Sequence, residues 1–364
     1  MRRGLTIMLL SLMAMIAAAQ PEVTWLERQH DFGVIREADG KASCAIRLVN
    51  TGDQPLLIVK AQAACGCTGI NYPEAPIQPG DTAAVNISYN PSGRPGEFSK
   101  EVIIHTNTVP KRTTLEIVGN VIPTDATLDK RYPLRAGALR VSQGYIPFGN
   151  IDKGTNKLLY LSAYNASTDT MLLTVSGAKK HIHPALIPDT VPPAQLATLT
   201  VHYLSAYAPL WGLNTDTLTL SCQPLHGTTM EPRSVAIEVL AQVQEKFDNL
   251  TDKQRENAPI VEVDCDDRID FGVMTRGETV TRTFTVTNKG RSPLAIRRVW
   301  VPDGEGVTVS CDRDEVKRGK TATVTVSVNT REVTEGILNV PLTLMCNDPD
   351  NPNQTIRLVG LIDN

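Results

Sequence analysis

Asp31-Phe32-Gly33-Val34-Ile35 opens a pattern that the chain writes three times. Phe148-Gly149-Asn150-Ile151 and Phe271-Gly272-Val273-Met274 are its counterparts, and working outward from each Phe-Gly pair the same landmarks return. A largely alternating apolar segment ends in asparagine at Asn50, Asn165 and Asn288, which lie 18, 17 and 17 residues past the phenylalanine. A second apolar run follows at Pro55-Leu56-Leu57-Ile58, Met171-Leu172-Leu173 and Pro293-Leu294-Ala295-Ile296. Turns at Pro79-Gly80, Pro193-Ala194 and Arg318-Gly319 open the strand patterns Ala83 to Tyr89, Ala197 to Tyr203 and Ala322 to Val328. Gly96, Gly212 and Gly336 precede further strands, and apolar runs Leu115 to Val121, Val235 to Val243 and Ile356 to Ile362 close each copy. Self-similarity at a fixed spacing is the signature of one structural unit repeated along the chain.

Within a copy the period is two. Val85, Ile87 and Tyr89 are separated by Asn86 and Ser88, and Val324, Val326 and Val328 alternate with Thr323, Thr325 and Ser327. Such alternation marks strands with one buried face. Around seven short strands per roughly 100 residues, divided by Gly, Pro, Asn and Asp turns, predict an all-β chain of three tandem immunoglobulin-like β-sandwich domains. The units are expected at 22–122, 138–244 and 259–364, the middle one being the most degenerate, with linkers at 123–137 and 245–258. End-to-end sandwiches with modest interfaces follow from such linkers. The one helical expectation is a short polar helix over Asn249 to Asn257.

The first 19 residues read as an export signal. Met1-Arg2-Arg3 is basic, Leu5 to Ile16 is apolar, and Ala17-Ala18-Ala19 meets the small-residue rule for cleavage before Gln20. The first cysteine is Cys44, so no lipid anchor is expected at the cleavage site, and no later run is long enough for a membrane span. The chain has 364 residues, 41% of them apolar and 21% charged, which is the composition of a globular protein. A net charge of −3 gives no electrostatic footprint for nucleic acid.

The residues of the first unit resemble the bacterial domain-of-unknown-function family 1573, an immunoglobulin-like group of secreted Bacteroidetes proteins. The resemblance rests on Asp31-Phe32-Gly33-Val34-Ile35, Asn50-Thr51-Gly52 with Pro55-Leu56, Cys65-Gly66-Cys67-Thr68, Pro79-Gly80, Asn90-Pro91, Arg94-Pro95-Gly96-Glu97-Phe98 and Thr106-Asn107. The third unit matches in part, without Cys-Gly-Cys-Thr, and the second only in its skeleton. A wider likeness is to the sandwiches of bacterial pilus chaperones and major sperm protein, which mediate protein contacts. The resemblance implies a fold and an exported location, with no established activity.

Cys65-Gly66-Cys67 is the sharpest chemical candidate, because two thiols two residues apart can chelate a soft metal, cycle as a redox pair, or pair with a third cysteine. In an immunoglobulin-like sandwich Cys44 on the second strand and Cys65 late on the third fall at the same pole, so a cross-sheet disulfide from Cys44 to Cys65 or Cys67 is weighed against buried free thiols. His181-Ile182-His183 is the second candidate: alternate residues of a strand share a face, so both imidazoles could serve one metal, against a surface-loop reading that Pro184 favours. Counted back from Ala194, His181 holds the place that Cys67 holds before Gly80. Cys222 and Cys346 read as buried small hydrophobes. Cys265 and Cys311 are open to pairing with each other or with Cys346. Asp81-Thr82, Asp169-Thr170, Asp189-Thr190 and Asp216-Thr217 read as strand-entry turns or as O-glycosylation acceptors. No nucleophile elbow, phosphate loop or zinc-protease helix is written in the chain.

The expectation is a non-enzymatic exported protein without cofactor, periplasmic or extracellular, acting as a structural or protein-binding array on unknown envelope proteins or glycan, with no nucleic-acid partner. The competing reading is a periplasmic thiol or metal-binding protein built on Cys65, Cys67 and Cys44.

Overall fold

The computed structural model describes residues 20–225, 233–302, 306–333 and 336–363; the expected export signal, 1–19, lies outside them. In the first unit the strands are β1 (Val23–Trp25), β2 (Gln29–Arg36), β3 (Ala42–Asn50), β4 (Ile58–Ala63), β5 (Thr68–Asn71), β6 (Thr82–Tyr89), β7 (Gly96–Thr106) and β8 (Arg112–Ile122). They form two four-stranded sheets, β1-β3-β6-β5 and β2-β8-β7-β4. The first strand thus crosses between sheets: β1 runs antiparallel to β3, and β2 runs parallel to β8. Two further pairs of sheets repeat this order with added edge strands, giving six sheets among the described residues, and each pair encloses its own apolar core. The fold is all-β and immunoglobulin-like.

The Phe-Gly repeat is where the parallel pairing slips. The register shifts between Asp31 and Val34 and between Asp270 and Val273, with the corresponding shift between Pro147 and Gly149. Gly33, Gly149 and Gly272 take φ of 62°, 61° and 71°, a left-handed conformation that costs glycine nothing. In the outer two copies an aspartate side chain, Asp31 or Asp270, accepts the N–H of that glycine.

The repeated asparagine is a buried rivet. Asn50 donates its amide to Gln54 O and Ile77 O, Asn165 to Asp169 O and Val191 O, and Asn288 to Ser292 O and Val316 O. Each accepts at Oδ1 from a backbone N–H two residues on, at Gly52, Ser167 and Gly290. All three are fully buried. No other side chain supplies two donors and an acceptor at that reach, which accounts for its recurrence.

The stretches expected as linkers are structured. Helix α1 (Asp125–Arg131) is capped by the Thr124 hydroxyl, and its Leu128 and Tyr132 pack with Tyr164 of the second unit. Residues Leu134–Ala136 already pair into the second unit's sheet, inside the span expected as a linker. Glu37 of the first unit accepts from Gly93 N, Thr124 N and Oγ1, and Thr127 Oγ1. Burial pushes the Glu37 carboxyl up, and these donors together outweigh it and hold the carboxyl low. The polar helix expected over 249–257 is α2 (Asp252–Glu256), closed by a Thr251–Gln254 capping box. Glu245 makes a bidentate pair with Arg297, whose guanidinium lies over the Trp211 ring. The joints are therefore hydrogen-bonded, more tightly than polar linkers imply.

Candidate functional site

The loop that leaves β4 and enters β5 carries Cys65, Gly66 and Cys67. Register fixes its counterparts, because the strand after it begins opposite an equivalent residue in each unit: Thr68 opposite Tyr89, Ile182 opposite Tyr203, Val307 opposite Val328. Cys67, His181 and Gly306 therefore occupy one place in the repeat.

In the first unit Cys65 and Cys67 are joined to each other by a disulfide, and Cys44 is free. This corrects the expected cross-sheet bond from Cys44. The chain crosses back to the first sheet before β5, so Cys44 and the residues after Cys67 lie in one sheet with β6 between them: Cys44 pairs with Ile87, and Ile87 with Ile70. Two strand spacings are roughly 9–10 Å, beyond the ~7 Å that a disulfide spans between Cα atoms. The Cα atoms of Cys65 and Cys67 are 5.2 Å apart.

Cys65 is half-buried and Cys67 is 5% exposed. The Cys67 N–H donates to Cys65 Sγ at 3.3 Å, and the Thr68 hydroxyl lies 3.6 Å from Cys65 Sγ and 3.8 Å from Cys67 Sγ. Ala63 of β4 pairs with Val102 of β7 and Ala64 N bonds Glu101 O, where this ladder ends before Cys65. Lys100 is half-buried on the inward row that holds Phe98 and Val102.

The five other cysteines are free, and burial raises every one of their thiols. Cys44 is pushed up to about 11 by burial and the Glu27 carboxylate, and Cys346 to about 11 chiefly by burial. Cys222 and Cys346 are buried, with thiols on Ala136 O and Asn351 O. Cys265, in the bend just past the edge strand Val261–Val263, and Cys311, at the end of the opposite edge strand, are both free, with Thr279–Asn288 and Thr321–Asn329 between those strands. Cys346 lies in the facing sheet.

In the second unit the same place carries charge. His181 is buried and His183 is exposed, so they do not share an environment, which corrects the expected two-histidine face. His181 Nε2 lies 2.7 Å from Asp216 Oδ2, and Lys179 Nζ lies 2.6 Å from Asp216 Oδ1. Burial pushes Asp216 up, but the Lys179 and His181 bonds and charges outweigh it and hold the carboxyl below the ordinary aspartate range. The Tyr203 ring packs edge-on against His181, and burial with the nearby Asp216 charge raises its hydroxyl to about 12. Asp216 was legible only as half of an Asp-Thr pair, and the structure buries it while leaving Thr217 exposed. His183 instead faces His202 across two antiparallel strands. No cluster of three metal-ligating residues exists among the described residues, and no described helix is long and apolar enough to cross a membrane.

The outer face of the third unit offers a surface of a different kind. Val273 pairs with Leu361 and Leu361 with Ile337, so the three form one row across the sheet, 71%, 54% and 58% exposed. It lines a shallow groove with Asp270, Gly272 and Gly360.

Residues 23–121 match the family of proteins of unknown function DUF1573, which assigns the first unit to that family. Residues 259–361 match the HYDIN/CFA65/VesB-like immunoglobulin-like domain. Among curated proteins none matches the chain. Among solved structures, a protein of unknown function from Porphyromonas gingivalis W83 is similar at 18% identity and a TM-score of 0.45, over 62% of this chain and all of that one. The ASH/PapD-like domain 7 of human CEP192 is similar at 13% identity and a TM-score of 0.27, over 32% of this chain and 93% of that one. The secreted serine protease VesC of Vibrio cholerae is similar at 9% identity and a TM-score of 0.27, over 63% of this chain and 52% of that one.

Proposed function

We propose that this chain, with a DUF1573 unit first and an immunoglobulin-like unit last, is a non-enzymatic scaffold exported to the cell envelope, periplasmic or extracellular and without a lipid anchor, whose third unit docks a partner protein. The observation that carries the reading is the uncovered row Val273, Leu361 and Ile337. Its counterparts differ in composition: the first unit's row is Val34, Asn120 and Glu97 and the second's is Asn150, Gln242 and Leu213, so neither is apolar throughout. Beside the first unit's groove, Gly96 is covered by Leu196 and Glu97 accepts from Gln195, both from the second unit. Gly212 of the second unit lies against the Trp300 ring of the third. At Gly336, the matching glycine of the third unit, only its own Ile362 carbonyl is near among the described residues. There the flanking residues are aliphatic where the first unit has Glu97 and Asn120. An exposed apolar row of this kind suits a bulky apolar side chain of another protein better than a glycan.

A photo-crosslinking residue at Ile337, compared with one at the exposed Thr283 on the opposite sheet, tests the docking in intact cells. The expected result is a discrete adduct from position 337 alone, lost when Leu361→Asp is added. Equal adducts from both positions, or none, overturn it. Export is tested by sequencing the mature N-terminus from the envelope fraction. A chain beginning at Gln20 is expected, and uncleaved chain retained in the cytoplasm refutes it.

A further inference from the structure

We propose that the Cys65–Cys67 disulfide is a thiol–disulfide exchange site that takes two electrons from a dithiol, with Cys65 forming the mixed disulfide and Cys67 acting as the leaving thiol.

A staple is the ordinary role of a disulfide, and this one is poorly placed for it. It closes a loop of only three residues, so it removes less chain entropy from the unfolded state than almost any other bridge. The fold does not need it either: the second unit carries Lys179 and His181 at the same two places, and the third carries Gly306 at the second of them. What the loop does provide is asymmetry. Cys65 is reachable from solvent beside an exposed Gly66 with open space around it, whereas Cys67 is buried. The Cys67 N–H and the Thr68 hydroxyl both converge on Cys65 Sγ, where they can stabilise a thiolate. No other thiol competes. Cys44, the one further cysteine of this unit, is held protonated by burial and lies across β6.

The chemistry balances without a further reactant. A donor thiolate attacks Cys65 Sγ, the Cys65–Cys67 bond breaks, and its electron pair leaves on Cys67 Sγ, which takes a proton. The donor's second thiol, deprotonated, then attacks the donor sulfur of the mixed disulfide. The donor closes into its own disulfide, and Cys65 leaves as a thiolate under the Cys67 N–H and Thr68 hydroxyl and then takes the proton given up by the donor's second thiol. The chain ends as a dithiol and the donor as a disulfide, two electrons and two protons having passed between them.

The test uses the full chain in graded mixtures of reduced and oxidised glutathione, two glutathione molecules standing in for the dithiol, with acid quenching, alkylation and mass spectrometry. The expected result is reversible reduction of this pair with the fold unchanged by circular dichroism. Cys67→Ser should accumulate a glutathione adduct on Cys65, and Cys65→Ser should form its adduct on Cys67 at least about tenfold more slowly. In Cys67→Ser, Thr68→Val should move the alkylation of Cys65 to higher pH, a readout that packing alone would not shift. A pair that stays oxidised throughout while the chain remains folded overturns the proposal. So does reduction only on unfolding, or equal trapping on either cysteine. These outcomes are independent of whether Ile337 finds a partner.

Discussion

Leu196 closes over Gly96 across the joint between the first and second units: a Cβ at Gly96 would lie 2.8 Å from Leu196 Cδ1. Gly96 also holds φ at 88°, so any side chain there meets two penalties, backbone strain and a collision. Gly336 is its counterpart with φ of 67°, where a Cβ would meet only the Ile362 carbonyl, at 3.8 Å, among the described residues. Gly336→Ala should therefore cost only the conformational strain, about 1 kcal/mol. Gly96→Ala should cost about 1–2 kcal/mol more, and Leu196→Ala should recover part of the excess in a double-mutant cycle followed by urea unfolding. Equal costs at the two glycines would mean that the joint is not packed in solution.

Ala194 sits at the turn where the other two copies place Gly80 and Gly319. All three have positive φ, 59° at Ala194 against 81° and 69°, and all three donate their N–H to the repeated asparagine's carbonyl, on Asn165, Asn50 and Asn288. Ala194 thus bears a left-handed strain that its counterparts avoid. Ala194→Gly should stabilise the second unit by about 0.5–1 kcal/mol, after allowing for the greater freedom of glycine in the unfolded chain. A destabilised variant in thermal unfolding would place Ala194 outside the left-handed region.

Five thiols should react with Ellman's reagent in the unreduced, unfolded chain, and seven after reduction. In the folded chain Cys44 should be nearly inert: with its pKa pushed up to about 11, roughly one thiol in a thousand is ionised at pH 8. Iodoacetamide labelling with peptide mapping checks this, and rapid modification of folded Cys44 would contradict its burial.

The Phe-Gly repeat, the closing strands and the alternation of Val324, Val326 and Val328 made the sandwich legible, because period and spacing are local properties of a sequence. The Cys65–Cys67 bond was not. Choosing among Cys44, Cys65 and Cys67 depends on which sheet receives the chain after β4, and on β6 lying between β3 and β5. Asp216 was hidden for the same reason: it stands 35 residues from His181, and only strand register brings their side chains to 2.7 Å. The cover of Leu196 on Gly96 left no trace either, since residues meeting across a joint need share no pattern.

The acid behaviour of the second unit follows from Asp216. Its carboxyl is held below its unfolded value of 3.8 by Lys179 and His181, against the opposing effect of burial. A group whose folded pKa is depressed contributes stability that is complete above the unfolded value and is lost as pH falls through the folded one. Protonation leaves Lys179 without its partner charge and the buried His181 beside a neutral acid. Lys179 is largely exposed, so solvent screens its share, and the buried His181 bond supplies the rest. Asp216→Asn should lower stability at pH 7 by about 1–3 kcal/mol and flatten the loss of stability below about pH 4. The three tryptophans fall one to each unit, so Trp25→Phe with Trp300→Phe leaves Trp211 as the reporter of this one. Urea midpoints of that background, with and without Asp216→Asn, should diverge at neutral pH and converge as acid is added. Parallel curves across the whole range would show that Asp216 is not the titrating group.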